Sequence, residues 1–137
     1  MRRIGIIIGS KSDLPQCIYG LRYLGAAQRV INVEVMFVRI NSIHRNTPDV
    51  LKLLESVHRS QALDALIVGA GMANHLTGTC DAYLRHTLKN DRIVVFGVAF
   101  ENSLDPESQA AILSITKVPG TQVIFNDYIG ADGFLQA

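Results

Sequence analysis

The 137-residue sequence has no tryptophan, only two cysteines and little charge of either sign. Aspartate, glutamate, lysine and arginine together make up 18% of the residues, and the formal net charge is +1. A balance this close to neutral gives no reason to expect a nucleic acid or an anionic membrane as a partner. The low charged fraction instead indicates that part of the surface is covered in a homo-oligomer.

The two cysteines, Cys17 and Cys80, do not have the spacing of a metal site. We therefore expect two buried, reduced thiols and no bound metal. Long apolar runs are absent too, since the run that begins at Ile4 ends at Gly9. Such a run is too short for a signal-peptide core or a membrane span. Without repeats, linkers or low-complexity stretches, the sequence predicts one nucleotide-binding α/β domain over residues 1–137 and a cytoplasmic location.

Short apolar runs alternate with amphipathic stretches along the chain. The predicted strands are Ile4–Ile8, Val33–Ile40, Ala65–Val68, Ile93–Val98 and Gln122–Phe125. The predicted helices are Leu14–Leu24, which is expected to stop at Gly25, Pro48–Arg59, His75–Leu88 and Pro106–Lys117. Because the strands are almost continuously apolar, they predict a parallel sheet with helices on both faces. We expect the last residues, Gly130–Ala137, to be too short for a stable covering helix by themselves.

Ligands of such sheets bind at the carboxyl ends of the strands, so the loops that follow the strands are candidate sites. The first loop is Gly9-Ser10-Lys11-Ser12-Asp13. Gly9 permits a tight turn, and the hydroxyls of Ser10 and Ser12 suit phosphate oxygens. The carboxylate of Asp13 repels phosphate and suits sugar hydroxyls instead. The alternative is a capping turn, with Ser12 or Asp13 at the start of the following helix.

The second candidate loop runs from Asn41 to Pro48 and places a histidine beside an arginine. His44 offers a group that titrates near neutral pH, and Arg45 offers an anchor for an anion. The alternative is a solvated polar loop in which Thr47 caps the second helix.

The third candidate loop, Gly69 to Gly78, consists almost entirely of small residues. Backbone amides from Gly69 to Gly71 can cradle a carboxylate or CO2, and His75 stands at the start of the next helix. The alternative is a glycine-rich turn that serves only close packing. The loop after the fourth strand, residues 99–105, is a candidate by position alone.

The sequence also predicts an ion pair that contributes to stability. Asp81 and Arg85 are one helical turn apart in the third predicted helix. We expect an exposed ion pair there, worth about 0.3–0.5 kcal/mol.

The three loops, in this order, resemble the small bacterial carboxyaminoimidazole ribonucleotide mutases of purine biosynthesis. That family is also called the phosphoribosylaminoimidazole carboxylase catalytic subunits. The resemblance extends from Ile4 to about Gly130, and the segment Gly9–Asp13 matches the family's first motif throughout. The second motif, Ser-x-His-Arg-Thr-Pro, contains Asn46 as an extra residue here. The third motif, Gly-Ala-Gly-Gly-Ala-Ala-His-Leu-Pro-Gly, differs by three replacements, at Met72, Asn74 and Thr77.

The resemblance implies a flavodoxin-like three-layer αβα sandwich, a homo-octamer, no metal and no organic cofactor. It implies catalytic roles for His44 and His75, with His44 as the general acid and base. The substrate-binding residues that it implies are Gly9, Ser10, Ser12, Asp13, Ser42, Arg45, Gly69, Ala70 and Gly71. Among these, Ser10, Ser12, Ser42 and Arg45 would hold the 5′-phosphate, and Asp13 the ribose. The loop Gly69–Gly71 would line the pocket for the migrating carboxyl group.

The implied reaction moves a carboxyl group from an exocyclic nitrogen to a ring carbon of an aminoimidazole ribonucleotide, with CO2 as a trapped intermediate. Two alternatives stay open because the loops depart from the family motifs and the family's terminal helix is missing. One is a related nucleotide carboxylase with a different substrate, such as the pyridinium carboxylases, which use a reactive cysteine. Neither Cys17 nor Cys80 lies in the candidate loops. The other is a non-catalytic nucleotide-binding or scaffold protein.

Overall fold

The computed structural model describes all residues from Met1 to Ala137. The strands are β1 (Arg2–Ile8), β2 (Val33–Ile40), β3 (Ala65–Ala70), β4 (Val94–Ala99) and β5 (Ile124–Ile129). The helices are α1 (Ile18–Ala27), α2 (Thr47–Ser60), α3 (His75–Ala82), α4 (Gln109–Thr116) and α5 (Gly130–Gln136). All five strands pair in parallel in the order β2-β1-β3-β4-β5. This order is the flavodoxin-like arrangement, in which ligands bind beside the carboxyl end of β1.

Helices cover both faces of the sheet, as predicted. On one face, Val50 and Leu54 of α2 and Leu76 of α3 pack against Ile7 and Val68 of the sheet. Helix α4 lies beside α3 on this face. On the other face, the core between the sheet and helices α1 and α5 includes Ile4, Ile6, Ile8, Ile67, Val98, Cys17 and Phe134. The predicted three-layer α/β fold is therefore confirmed.

The first predicted helix has different bounds in the structure. A 3₁₀ segment occupies Lys11–Cys17, and α1 follows it without a break. Pro15 lies inside the 3₁₀ segment and has no N–H to donate to a regular α-helical ladder. The expected stop at Gly25 is wrong, because α1 passes through it and ends at Ala27. A glycine lowers helix stability without forcing an end.

The last residues, which were not predicted as a helix, form α5 over Gly130–Gln136 in the folded chain. Phe134 is buried against the core beneath α1. Gly20 of α1 makes room for it, since a Cβ at Gly20 would overlap the ring of Phe134. Tertiary packing of one aromatic side chain thus holds a helix that is too short to persist alone.

Three other element bounds shift for local reasons. Helix α4 begins at Gln109 rather than Pro106, because the carboxylate of Asp105 accepts the backbone N–H groups of Gln109 and Ala110 at 3.1 and 2.9 Å. The third helix ends in a π turn at Tyr83–Thr87. Strand β5 lies two residues further along the chain at its start than predicted.

The ion pair of Asp81 and Arg85 is buried, so its expected exposure is wrong. The Arg85 Nε lies 3.2 Å from Asp81 Oδ1, and each side chain is 4% exposed. The Arg85 guanidinium also donates to the carbonyl oxygens of Asn90 and Ile93 at 2.7 and 2.6 Å. The other oxygen of Asp81 accepts the backbone N–H of Gln122 at 3.0 Å. The pair therefore joins α3 to the segments that enter β4 and β5.

Candidate active site

Three loops meet at the carboxyl ends of β1, β2 and β3, which are neighbours in the sheet. They enclose a cavity of about 230 Å³. The lining residues are Gly9, Ser10, Asp13, Ser42, Ile43, His44, Arg45, Ala70, Gly71, Met72, Ala73, His75 and Leu76. A second cavity of about 250 Å³ lies at the opposite end of the sheet between α1 and α5. Its lining contains no histidine, lysine or arginine. The polar cavity contains His44, Arg45 and His75 at the carboxyl ends of the strands, so it is the candidate site for chemistry on an anionic ligand.

All of the predicted site residues line this polar cavity except two. Ser12 is exposed outside it, with its Oγ 2.9 Å from the Oγ of Ser10. Gly69 is buried within β3, where its carbonyl oxygen accepts the N–H of Gly9 at 2.9 Å. A Cβ on Gly9 would lie only 2.9 Å from the Cβ of Ala70, so a glycine is required where the ends of β1 and β3 approach.

The first loop both caps a helix and lines the cavity. The Oγ of Ser10 accepts the N–H of Ser12 at 3.3 Å, so Ser10 is the cap and the expected cap at Ser12 or Asp13 is wrong. Asp13 is 6% exposed. Burial raises the pKa of its carboxyl, and a backbone hydrogen bond from Ser10 offsets part of that rise. The loop therefore places one desolvated carboxyl group in a cavity that is also lined by the guanidinium of Arg45.

The two predicted histidines contact each other directly. The Nε2 of His44 lies 2.9 Å from the Nδ1 of His75. Their ring centroids are 5.0 Å apart, and the ring planes are inclined by 80°. One nitrogen of this pair must donate and the other accept, so the hydrogen bond joins the two rings through a single proton.

The second loop is braced by its extra residue. The side-chain oxygen of Asn46 accepts the N–H of Ser42 at 3.0 Å, and the Asn46 N–H donates to the Ser42 carbonyl at 2.7 Å. The Oγ of Ser42 also accepts the N–H of Arg45 at 3.3 Å. Thr47 is the first residue of α2, and its hydroxyl donates to the carbonyl of Ile43. The inserted Asn46 thus closes a hydrogen-bonded turn with Ser42, and Arg45 still lines the cavity.

Two residues that the sequence reasoning treated only as departures fix the start of α3. Asn74 is fully buried, and its side-chain oxygen accepts the N–H of Thr77 at 3.0 Å. Its amide nitrogen donates to the carbonyl of Val98 at 3.1 Å. The Thr77 hydroxyl donates to the carbonyl of Val68 at 2.9 Å. Since His75 is the first residue of α3, these bonds set its position; an asparagine just before a predicted helix was the available signal.

The loop after β4 does not line the cavity, although its position made it a candidate. Its residue Glu101 is held from the side of the 3₁₀ segment by Gln16. The Gln16 amide donates to the Glu101 carbonyl at 3.0 Å and accepts its N–H at 2.8 Å. The end of β4 therefore braces the first loop from behind.

Both thiols are free and buried, as predicted. Burial raises the pKa of Cys17 and of Cys80 to about 12, and the neighbouring carboxylates of Asp13 and Asp81 add to the rise. Neither thiol is ionised near neutral pH, so neither supplies a nucleophile. No three histidine, cysteine or acidic side chains are grouped closely enough to hold a metal ion, and no helix is long and apolar enough to cross a membrane.

The protein-family model described as AIR carboxylase matches residues 3–130, a range that contains all three loops of the cavity. The chain belongs to the AIR carboxylase family. Its curated AIR carboxylase relatives include the N5-carboxyaminoimidazole ribonucleotide mutase of Pseudomonas aeruginosa, to which it is 30% identical over 134 residues. That match covers 98% of this chain and 74% of the relative.

Solved structures of the AIR carboxylase fold are similar as well. Treponema denticola PurE matches with a TM-score of 0.63 and 16% identity, over 99% of this chain and 77% of that chain. A serine-to-aspartate variant of PurE2 from Treponema denticola matches with a TM-score of 0.66 and 17% identity, over 98% and 76% of the two chains. The predicted family and the flavodoxin-like fold are both confirmed.

Proposed function

We propose that this protein converts N5-carboxyaminoimidazole ribonucleotide to 4-carboxy-5-aminoimidazole ribonucleotide, a carboxyl transfer of purine biosynthesis. Membership of the AIR carboxylase family and the name of the Pseudomonas aeruginosa relative support this reaction. The single observation that carries it is the pair of His44 and His75, which are joined at 2.9 Å at the rim of the cavity. The reaction needs one proton donated and one removed, and a histidine pair at the ligand end of the sheet suits both transfers.

The first and second loops would bind the ribose phosphate. Ser10, Ser42 and Arg45 line one side of the cavity and provide two hydroxyls and a guanidinium for the 5′-phosphate. Ser12, which lies outside the cavity beside Ser10, would act through the Ser10 hydroxyl. Asp13 would accept hydrogen bonds from the ribose hydroxyls, an interaction that favours its ionised form.

The carboxyl transfer then follows in two proton steps. His44 in its protonated form donates to the exocyclic nitrogen of the carbamate, the C–N bond breaks, and its electron pair stays on that nitrogen. CO2 leaves as a neutral molecule and is attacked by the ring carbon. The base form of His44 then removes the proton from that carbon, which restores the aromatic ring and returns His44 to its starting state. The hydrogen bond to His75 orients the ring and offers the proton a second site between the steps.

Retention of CO2 requires a small site that holds little water. The third-loop residues Ala70, Gly71 and Ala73, together with Met72, give this end of the cavity an apolar lining. We infer that CO2 waits there between its release and its recapture.

The test measures the change in ultraviolet absorbance when substrate is mixed with wild type and with His44→Asn. We expect a loss of about 10²–10⁴-fold in turnover, the usual contribution of general acid–base catalysis. His86→Asn is the matched control, because His86 is exposed and lies outside the cavity. Equal rates in His44→Asn and wild type, or no turnover in wild type, would contradict the proposal. Tight nucleotide binding without turnover would support a non-catalytic binding protein instead.

We further propose a homo-oligomer, with the octamer as the state that the family resemblance implies, and a cytoplasmic location. Val38 and Ile40 of β2 pair with Ile6 and Ile8 of β1, so they point to the same face as α1. No helix covers them fully, and they are 42% and 43% exposed. An uncovered apolar strip at a sheet edge favours contact with another copy of the chain.

A further inference from the structure

Met72 adopts a backbone conformation that a methionine rarely takes. Its φ is +55°, in the left-handed region. Glycine reaches that region without a steric penalty, whereas a side chain with a Cβ is strained there. Met72 lies in the third loop between Gly71 and Ala73, and all three residues line the polar cavity. Strained residues of this kind cluster at ligand sites and active sites of proteins.

Packing does not account for the strain. Met72 is 43% exposed and belongs to none of the buried clusters of the core. Two of the other non-glycine residues with positive φ stand next to helix ends, Gln61 after α2 and Ser108 before α4, whereas Asp127 lies within β5. Met72 ends no helix, and the next helix is already capped by Asn74. Its side chain therefore gains no buried contact that offsets the conformation.

The position of Met72 in the cavity places it on the side where the base of a bound nucleotide would lie. The hydroxyl, carboxylate and guanidinium groups of the cavity come from the first two loops, whereas the third loop contributes Ala70, Gly71, Met72 and Ala73. The same loop leads directly into His75. A ribonucleotide with its phosphate at the polar side would thus have its base and carboxyl group on the side of Met72.

We propose that Met72 is a specificity-determining residue, whose thioether covers the imidazole ring of the bound nucleotide and keeps the released CO2 in the cavity. This inference rests on the proposed function and extends it to substrate recognition. A methionine side chain is apolar, unbranched and polarisable, so it packs against the face of a heteroaromatic ring. It offers water no strong hydrogen-bonding group at the mouth of the cavity.

The test compares Met72→Gly with Gln61→Gly, a matched control. Gln61 has a φ of +53°, is exposed and lies outside the cavity. Glycine removes the same kind of strain at both positions, so both variants should melt a few degrees higher than wild type. Only Met72→Gly should raise KM, by at least fivefold, and release a larger share of each turnover as free aminoimidazole ribonucleotide and CO2. Met72→Leu should keep most of the wild-type retention.

Calorimetry separates this proposal from the proposed function. Met72→Gly should bind aminoimidazole ribonucleotide at least fivefold more weakly than wild type but bind ribose 5-phosphate equally well, because only the former has a base. If wild type binds both ligands but shows no turnover, the proposed function fails. Weaker binding of aminoimidazole ribonucleotide alone to Met72→Gly would still support the role of Met72 in recognition of the base. Unchanged binding and retention in Met72→Gly, or an equal loss for both ligands, overturns the role of Met72. A wild type that neither binds nor reacts overturns both proposals.

Discussion

The burial of Asp13 disfavours its ionised form in the folded chain, but its position in the cavity suits the binding of a sugar. Its carboxyl is almost entirely removed from solvent, and burial raises its pKa. A group of this kind favours the folded state less and less as the pH rises, because its ionised form is better solvated in the unfolded chain. A bound sugar would supply the hydrogen bonds that the carboxylate lacks. The residue therefore trades stability of the free protein against affinity for a ligand.

Asp13→Asn should separate these two effects. The raised pKa means that the folded protein binds the proton more tightly than the unfolded chain does. The cost of ionising Asp13 is therefore absent below about pH 4, and it grows as the pH rises through the folded-state pKa. Asn removes that cost, so the variant should gain thermal stability relative to wild type at pH 7 but not at pH 3. Melting curves at both values, with calorimetry of ribose 5-phosphate binding at pH 7, check this. A variant with unchanged relative stability at the two pH values and undiminished ribose affinity would contradict it.

At the scale of single residues, the sequence was sufficient to find the groups that we propose for the chemistry, but not the residues that position them. His44 and Arg45 could be found because charged and titratable groups after a strand are unusual in composition and place. Asn74 could be noticed only as a departure from a motif, because its partner at Val98 lies 24 residues away. The conformation of Met72 leaves no mark in composition at all.

At the scale of elements, the buried pair of Asp81 and Arg85 connects segments that are distant in sequence. Four bonds or ion contacts converge on it, from the entrances to β4 and β5 as well as from within the pair. The opposite charge and the three bonds to backbone groups offset the cost of burying these charges. The pair therefore acts as a single unit, and its two members should not be replaceable one at a time.

Arg85→Met tests that unit. The change leaves the Asp81 carboxylate buried without its counter-charge and removes the donors to the Asn90 and Ile93 carbonyls. We expect a loss of about 3–5 kcal/mol in the free energy of unfolding, measured by urea denaturation. The double variant Asp81→Leu with Arg85→Met should recover part of that loss, since no isolated charge remains. A loss below 1 kcal/mol, roughly the upper value for an exposed pair, would instead support the first prediction of a weak, solvent-exposed ion pair.

Element bounds were predictable where the signal was local. The strands β2 and β3 and the helix α2 are close to prediction because their apolar pattern and the Thr47-Pro48 start are contiguous in sequence. The helix α5 was missed because it depends on the fit of Phe134 above Gly20, two residues that are more than a hundred positions apart. Tertiary contacts of that separation cannot be read from periodicity.

At the scale of the whole molecule, the proposed homo-oligomer would have its interface on the apolar strip of the edge strand β2. Val38→Lys places a charge in the apolar strip on β2, where Val38 is 42% exposed. Light scattering after size-exclusion chromatography should give a multiple of the 15.0 kDa chain mass for wild type and a smaller species for the variant. Ser56→Lys, on the exposed side of α2, is the control and should leave the assembly intact. A monomeric wild type, or an unchanged species in Val38→Lys, would exclude an interface on this strip.

The two deeply buried thiols have a practical consequence. With pKa values of about 12 they are almost entirely protonated in neutral buffer, so maleimides and iodoacetamides should not react with them in the folded chain. The two native cysteines should therefore remain unlabelled when a cysteine is introduced for site-directed labelling. A fluorophore or spin label on a single engineered cysteine, for example at position 72, can report on the mouth of the cavity without first replacing Cys17 or Cys80.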